Sequence, residues 1–173
     1  MHTNEELREM AGHVVYEIEE FRESIAEFDR LTRLREIDGA WNRHSWNRSL
    51  ESVLLHFRVL RGFFIDPPKK ADASARDYVA AWLPVEDPIF SKTKTALDQK
   101  LAHLTWNRVP WSPGNWDTVA MNAAIDKLFE EFKKSLTAPA ADWFAPTPLT
   151  ITRGLSDSDG NSTVSVSWSK PMF

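Results

Sequence analysis

The sequence contains no cysteine among its 173 residues. Disulfides, thiolate metal sites and thiol nucleophiles are therefore excluded, and the absence is compatible with a reducing compartment. No apolar run approaches the roughly 18 residues that a membrane-spanning helix requires. The first residues, MHTNEE, are acidic and lack the apolar segment of a signal peptide. We therefore expect a cytoplasmic protein without a membrane partner.

Tyrosine is scarce as well, with two residues against eight tryptophans and ten phenylalanines. A large excess of charge is also missing, because the formal net charge is −4. This mildly acidic balance argues against a protein that coats nucleic acid along its whole length, although the arginines within residues 31–62 keep nucleic acid open as a partner. The length suits one domain whose core needs no disulfide or metal.

Apolar residues recur at every third or fourth position through the first segment, which predicts a long amphipathic helix over residues 4–37. Thr3 and Glu6 have the spacing of a capping box, which is typical of a helix start. Similar patterns predict helices over residues 47–65, 91–108 and 115–136, and a short helix over residues 75–83. Regular apolar faces of this kind usually pack on neighbouring helices at shallow angles.

The composition changes near residue 138, where prolines become frequent. Residues 149–152 and 163–168 then alternate with period two around the turn sequence DSDGN, which predicts a β-hairpin. We expect a mainly α protein, with residues 1–137 forming a four-helix-type bundle with a short extra helix. Residues 138–173 are predicted to be a Pro-rich linker and a C-terminal β-hairpin packed on the bundle or on a partner, because an isolated hairpin is marginally stable.

Because cysteine is absent, histidine and arginine are the residues most suited to catalysis or ligand binding in this chain. His56 and His103 are the candidate catalytic residues, since imidazole acts as acid, base or ligand near neutral pH. If the second and third helices are antiparallel neighbours, Arg61 and Arg108 would join both histidines in one polar pocket that suits a carboxylate or phosphate. Arg61 projects inside an apolar face and therefore needs a charged partner or a water-filled pocket. Alternatively, each histidine is a hydrogen-bonded structural group of the core.

Arg58 and Trp106 complete the candidate ligand-binding set of Arg58, Arg61, Trp106 and Arg108. A metal site has weaker support, because His13, His56 and His103 fall on separate helices. No histidine has the His-x-x-His or Glu-x-x-His spacing that places two ligands on one helix face. We therefore expect no metal and no cofactor, while a His-ligated metal-binding bundle stays an alternative.

Residues 51–64 (ESVLLHFRVLRGFF) and 97–105 (LDQKLAHLT) resemble segments of uncharacterised bacterial helical-bundle proteins. The second segment is also similar to the final helix motif of HEPN-type bundles, including abortive-infection members. The resemblance implies an all-α domain of the kind found among RNases and RNA-associated proteins of toxin–antitoxin and phage-defence systems. Catalytic members carry an arginine four to six residues before a histidine. Neither His56 nor His103 has an arginine at that spacing.

These observations together favour a non-catalytic binding or regulatory module in a HEPN-like setting. The unpaired hairpin favours a protein partner or a homo-oligomer. Two alternatives remain at this point. One is an enzyme or ligand-binding bundle with a His/Arg pocket, RNase-like or anion-binding, and the other is the metal-binding bundle.

Overall fold

The computed structural model describes residues 2–38, 42–69, 71–84, 87–97 and 116–145, and the backbone of two strands between residues 150 and 167. The chain is mainly helical, as its sequence predicts. The helices are α1 (Asn4–Asp38), α2 (Arg43–Phe64), α3 (Pro88–Ala96), α4 (Thr118–Ser135) and α5 (Ala140–Trp143), with a 3-10 turn at Ala75–Asp77. None of the helices in these ranges combines the length and apolar character needed to cross a membrane.

The first helix begins at the predicted capping box. The Glu6 amide donates to Thr3 Oγ1 at 3.2 Å, and the Thr3 amide donates to Glu6 Oε2 at 2.7 Å. The hydrogen bond from the Thr3 backbone lowers the pKa of Glu6 below its usual value. These reciprocal bonds satisfy amides that have no partner within the helix, and α1 accordingly begins at the next residue, Asn4.

Helices α1 and α2 pack against each other through the predicted apolar faces. On α1, Ala11, Ile18 and Phe21 are at most 1% exposed. The predicted face of α2 is at most 3% exposed throughout and consists of Leu50, Val53, Leu54, Phe57, Leu60 and Phe64. The rings of Phe21 and Phe57 lie 6.0 Å apart between centroids. The long pairing follows from two apolar stripes of helical period, which are removed from water where the helices meet.

An aromatic cluster, formed by Phe63, Phe64, Tyr78, Trp82, Phe132 and Phe144, joins the end of α2 to α4. Phe132 of α4 is fully buried, and its ring centroid lies between 5.0 and 6.0 Å from the other five rings. All five contacts are close to edge-to-face, the geometry that the ring quadrupoles favour. The cluster therefore connects α2, residues 71–84, α4 and the residue that follows α5.

The predicted short helix over residues 75–83 is wrong, because helical structure there is limited to the 3-10 turn Ala75–Asp77. The Ser74 amide donates to Asp77 Oδ2 at 2.8 Å, which closes a capping box around this turn. Trp82 then donates from Nε1 to the Phe64 carbonyl oxygen at 2.8 Å, and its ring is buried in the aromatic cluster. Burying the rings of Tyr78 and Trp82 outweighs the weak helix propensity of this segment.

The starts of α2, α3 and α4 differ from the predicted ones because side-chain caps decide them. Asn42 caps α2 at the amides of His44 and Ser45, so α2 begins earlier than residue 47. Asp87 caps α3 ahead of Pro88. Asp117 caps α4, which begins at Thr118, three residues after the predicted start. The predicted helix over 91–108 lies outside the described residues from residue 98 onward.

The C-terminal part begins with α5, a single helical turn within the segment predicted to be a linker, and Phe144 after it is 1% exposed. Two strands follow, β1 (Thr150–Arg153) and β2 (Val164–Ser167), which pair antiparallel with Thr150 opposite Ser167. The predicted turn between them lies outside the described residues. The predicted hairpin, as an element packed on the bundle or on a partner, therefore stays a prediction.

Candidate functional site

Arg61, in the last turn of α2, is a charged residue within the apolar core. Its side chain is 4% exposed, and Nε and Nη2 donate to Asp66 Oδ2 at 3.2 and 3.0 Å. The amides of Ile65 and Asp66 both donate to the Arg61 carbonyl oxygen, at 2.8 and 3.2 Å. These backbone bonds end the helix and bring Asp66 to the guanidinium, which provides the charged partner that a buried arginine needs.

A pocket with a volume of about 410 Å³ lies between the end of α2 and the start of α3. We refer to it as the Arg61 pocket. Its apolar lining residues are Ile65, Pro88 and Phe90, and its polar lining residues are Arg61, Asp66, Asp87, Ser91 and Lys94. Lys94 Nζ lies 3.5 Å from Asp66 Oδ1, so both oxygens of this carboxylate contact a cation. The Arg61 pocket thus combines an apolar wall with a few charged groups, as small-ligand sites do.

One donor of Arg61, a residue that lines the Arg61 pocket, is unsatisfied. Nη1 of Arg61 is buried and has no hydrogen-bond partner within the part of the chain that the structure describes. Leaving a buried donor without an acceptor costs about 1–3 kcal/mol, and more when the group is charged. An acceptor that enters the Arg61 pocket and reaches Nη1 recovers this free energy, and an ionised oxygen recovers the most.

His56 lies on a different side of α2, against α1. Nδ1 of His56 is 2.7 Å from Glu17 Oε2, and the two side chains are 13% and 25% exposed. His56 and Arg61 are five residues apart, which separates them by about 140° around a helix. Two of the four residues predicted to share a pocket therefore contact different partners, Glu17 and Asp66.

The other candidate residues are placed as follows. Arg58 is half-buried on α2. His103, Trp106 and Arg108 lie outside the described residues. Asp66, Asp87 and Lys94 line the Arg61 pocket and were not among the predicted site residues. Asp66 and Asp87 share a signal in the sequence, because each precedes a proline, and an aspartate before proline is typical of turns and helix starts.

A second pocket, of about 310 Å³, lies between the N-terminal half of α1 and residues 71–78. Three of its polar groups are engaged in the fold, because Glu6 and Asp77 cap helical turns and the Tyr78 hydroxyl donates to the Leu7 carbonyl oxygen at 2.8 Å. Burial, reinforced by Asp77, raises the pKa of Tyr78 above its usual value. Within the described ranges, no group of three or more histidine, aspartate or glutamate side chains could hold a metal ion.

The Arg61 pocket is therefore the candidate functional site, since it combines space, an apolar wall and a buried cationic donor without an acceptor. Its chemistry suits binding of an anionic oxygen. Comparison of the chain with protein-family models, with curated proteins and with solved structures found no match.

Proposed function

We propose that the chain is a non-catalytic helical binding module whose ligand presents a carboxylate or a phosphate to Arg61. The observation that carries this proposal is the buried Nη1 of Arg61, which has no partner in the described part of the chain. Arginine suits the role because it stays charged and offers several donors in a fixed planar arrangement. The role is one of binding, because Arg61 stays charged and therefore cannot act as an acid or a base, and both oxygens of Asp66 already contact cations.

Lys94, which also lines the Arg61 pocket, supports the proposal. Its side chain is 53% exposed, and its ammonium group is 3.5 Å from Asp66 Oδ1, at the edge of hydrogen-bond range. A weak, half-exposed contact of this kind contributes little to stability. Lys94 is therefore free to move toward an arriving anion at little cost to the fold.

The test is calorimetric titration of the full chain with 4-methylpentanoate and, separately, with inorganic phosphate. We expect saturable binding of at least one anion, and Arg61→Gln to weaken it by about tenfold or more. Arg48→Gln is the matched control, because Arg48 is an exposed arginine on the same helix. The affinity of this variant for the anion should stay within about twofold of that of the unchanged chain.

The proposal is wrong if neither anion binds, or if Arg61→Gln binds as tightly as the unchanged chain. If Arg61→Gln does not fold, Lys94→Gln replaces it, since Lys94 is exposed and holds no core contact. We expect Lys94→Gln to weaken binding by about threefold, and an unchanged affinity in this variant also contradicts the proposal.

The contact between His56 and Glu17 favours a second candidate function, an RNase-like bundle. A carboxylate that accepts from Nδ1 fixes the tautomer of an imidazole and leaves Nε2 to act as a base. Under this candidate, the chain cleaves single-stranded RNA, and both His56→Gln and Glu17→Gln abolish cleavage. Arg22→Gln, which alters an exposed ion pair between α1 and α4, is the control that should stay active. Absence of cleavage by the unchanged chain rejects this candidate.

A regulatory role in a HEPN-like setting belongs to the same proposal, with the four-helix-type bundle as the folded body and the C-terminal hairpin as an assembly element. The antiparallel pairing of β1 with β2 supports this assembly role, because a two-stranded unit alone is marginally stable and needs a surface to pack on. The test is deletion of residues 149–173 with molar mass measured by light scattering. We expect the deletion to convert an assembly to a monomer, and an equal subunit number in both proteins contradicts the assembly role.

A further inference from the structure

We infer that the ligand of the Arg61 pocket is a small zwitterion, a molecule that carries one carboxylate and one ammonium group on an apolar skeleton, as α-amino acids do. This inference rests on the proposed function and narrows its ligand class. Three features of the Arg61 pocket support it, namely the balance of charge, the unused polar atoms and the apolar wall.

The charges that line the Arg61 pocket cancel. Arg61 and Lys94 are cationic, and Asp66 and Asp87 are anionic, so the formal charge of the lining is zero. A doubly charged anion such as phosphate would be attracted by two groups and repelled by the other two at short range. A ligand with a charge of each sign meets complementary groups, so electrostatic complementarity favours a zwitterion over a simple anion.

Two lining groups of opposite charge, the guanidinium of Arg61 and the carboxylate of Asp87, keep hydrogen-bonding capacity that the described residues do not use. Asp66 differs from Asp87, because both of its oxygens already contact cations, Oδ2 with Arg61 and Oδ1 with Lys94. Asp87 uses Oδ1 to accept the Ile89 amide at 2.9 Å, and Oδ2 makes no hydrogen bond to the described residues. With Nη1 of Arg61, the Arg61 pocket therefore offers a cationic donor for a carboxylate and an anionic acceptor for an ammonium group.

The lining of the Arg61 pocket also has an apolar part. Ile65 is half-buried, Phe90 is 4% exposed, and Pro88 is the first residue of α3. Apolar surface that a ligand covers here is removed from water, which favours binding. The volume of about 410 Å³ lies near the lower end of the range for ligand pockets, roughly 300–1,000 Å³. These features favour a small zwitterion with an aliphatic skeleton over a nucleotide.

The experiment compares each zwitterion with the carboxylate that lacks its amino group. L-Leucine is paired with 4-methylpentanoate, and 6-aminohexanoate, whose charges are further apart, is paired with hexanoate. Calorimetry on the full chain should show at least one zwitterion binding about tenfold or more tightly than its partner. Asp87→Asn should remove this preference while the affinity for the plain carboxylate is retained. Asparagine also caps helices, so α3 keeps its start in this variant.

Two outcomes separate the inference from the proposed function. If both plain carboxylates bind as tightly as the zwitterions, or if Asp87→Asn leaves the preference intact, the zwitterion inference is wrong while binding of an anion at Arg61 stands. If 4-methylpentanoate and phosphate both fail to bind, the proposed function is wrong, and the inference that rests on it is wrong as well.

Discussion

Nδ1 of His56 lies 2.7 Å from Oε2 of Glu17, and this contact joins the middle of α2 to the middle of α1. Both side chains are largely withdrawn from water, with 13% and 25% exposed. The two residues therefore form a polar pair within a long apolar interface. Their contact fixes the rotation of α2 about its own axis relative to α1. Because the two residues are 39 positions apart in sequence, the bond forms only when the helices have packed.

A double-mutant cycle with His56→Gln and Glu17→Gln should return a coupling free energy of about 1–2 kcal/mol in urea unfolding. The control is the pair of Arg22 and Asp126, whose side chains are 45% and 39% exposed. Solvent screening should limit the coupling of that pair to below about 1 kcal/mol. A His56–Glu17 coupling that is indistinguishable from zero contradicts the structural role assigned to this contact.

Phe132 is expected to be the most sensitive position of the aromatic cluster, because it is fully buried and contacts the other five rings. Phe132→Ala should lower the free energy of unfolding by about 3–5 kcal/mol. Val119→Ala on the same helix is the control, since Val119 is 73% exposed and its loss should stay within about 0.5 kcal/mol. A small loss in Phe132→Ala would show that α4 does not pack through this ring.

Tyr78 should make stability depend on alkaline pH. Burial raises the pKa of its phenol above the ordinary value of 10.0, so the unfolded chain ionises first as the pH rises. Stability that is fully present below pH 10 is therefore lost above it. Tyr78→Phe should cost about 1 kcal/mol at neutral pH, through the hydrogen bond to Leu7, and the gap to the unchanged chain should shrink toward about pH 11. A gap that widens with rising pH contradicts this sign.

The helices and their buried faces could be predicted from the sequence because periodicity alone decides which residues share a face. The need of Arg61 for a partner could be predicted in the same way, from its position inside the apolar face of α2. The partner itself could not, because Asp66 lies beyond the helix end and reaches Arg61 only through a turn. Likewise, the Trp82 bond to the Phe64 carbonyl depends on tertiary packing, which overrides local helix propensity in residues 75–83.

The prediction that His56 and Arg61 share a pocket requires knowing which helix lies against each side of α2. Sequence projection places both residues on or beside the apolar face, but it carries no information about the neighbours around that helix. The structure divides them, with Glu17 of α1 beside His56 and Asp66 beside Arg61. Asp87 and Lys94 belong to the site because of where α3 begins, and that start is set by a capping bond.

The central claim, that an anionic group binds Arg61, is tested most directly by nuclear magnetic resonance of the arginine side chains in the isotopically labelled full chain. The signal of Arg61 is assigned by its absence in Arg61→Lys, and 4-methylpentanoate and phosphate are then titrated in turn. We predict that the Arg61 guanidinium signal shifts to saturation with at least one of these anions, while the signal of Arg48 stays in place. An Arg61 signal that is unmoved by both anions would contradict the claim.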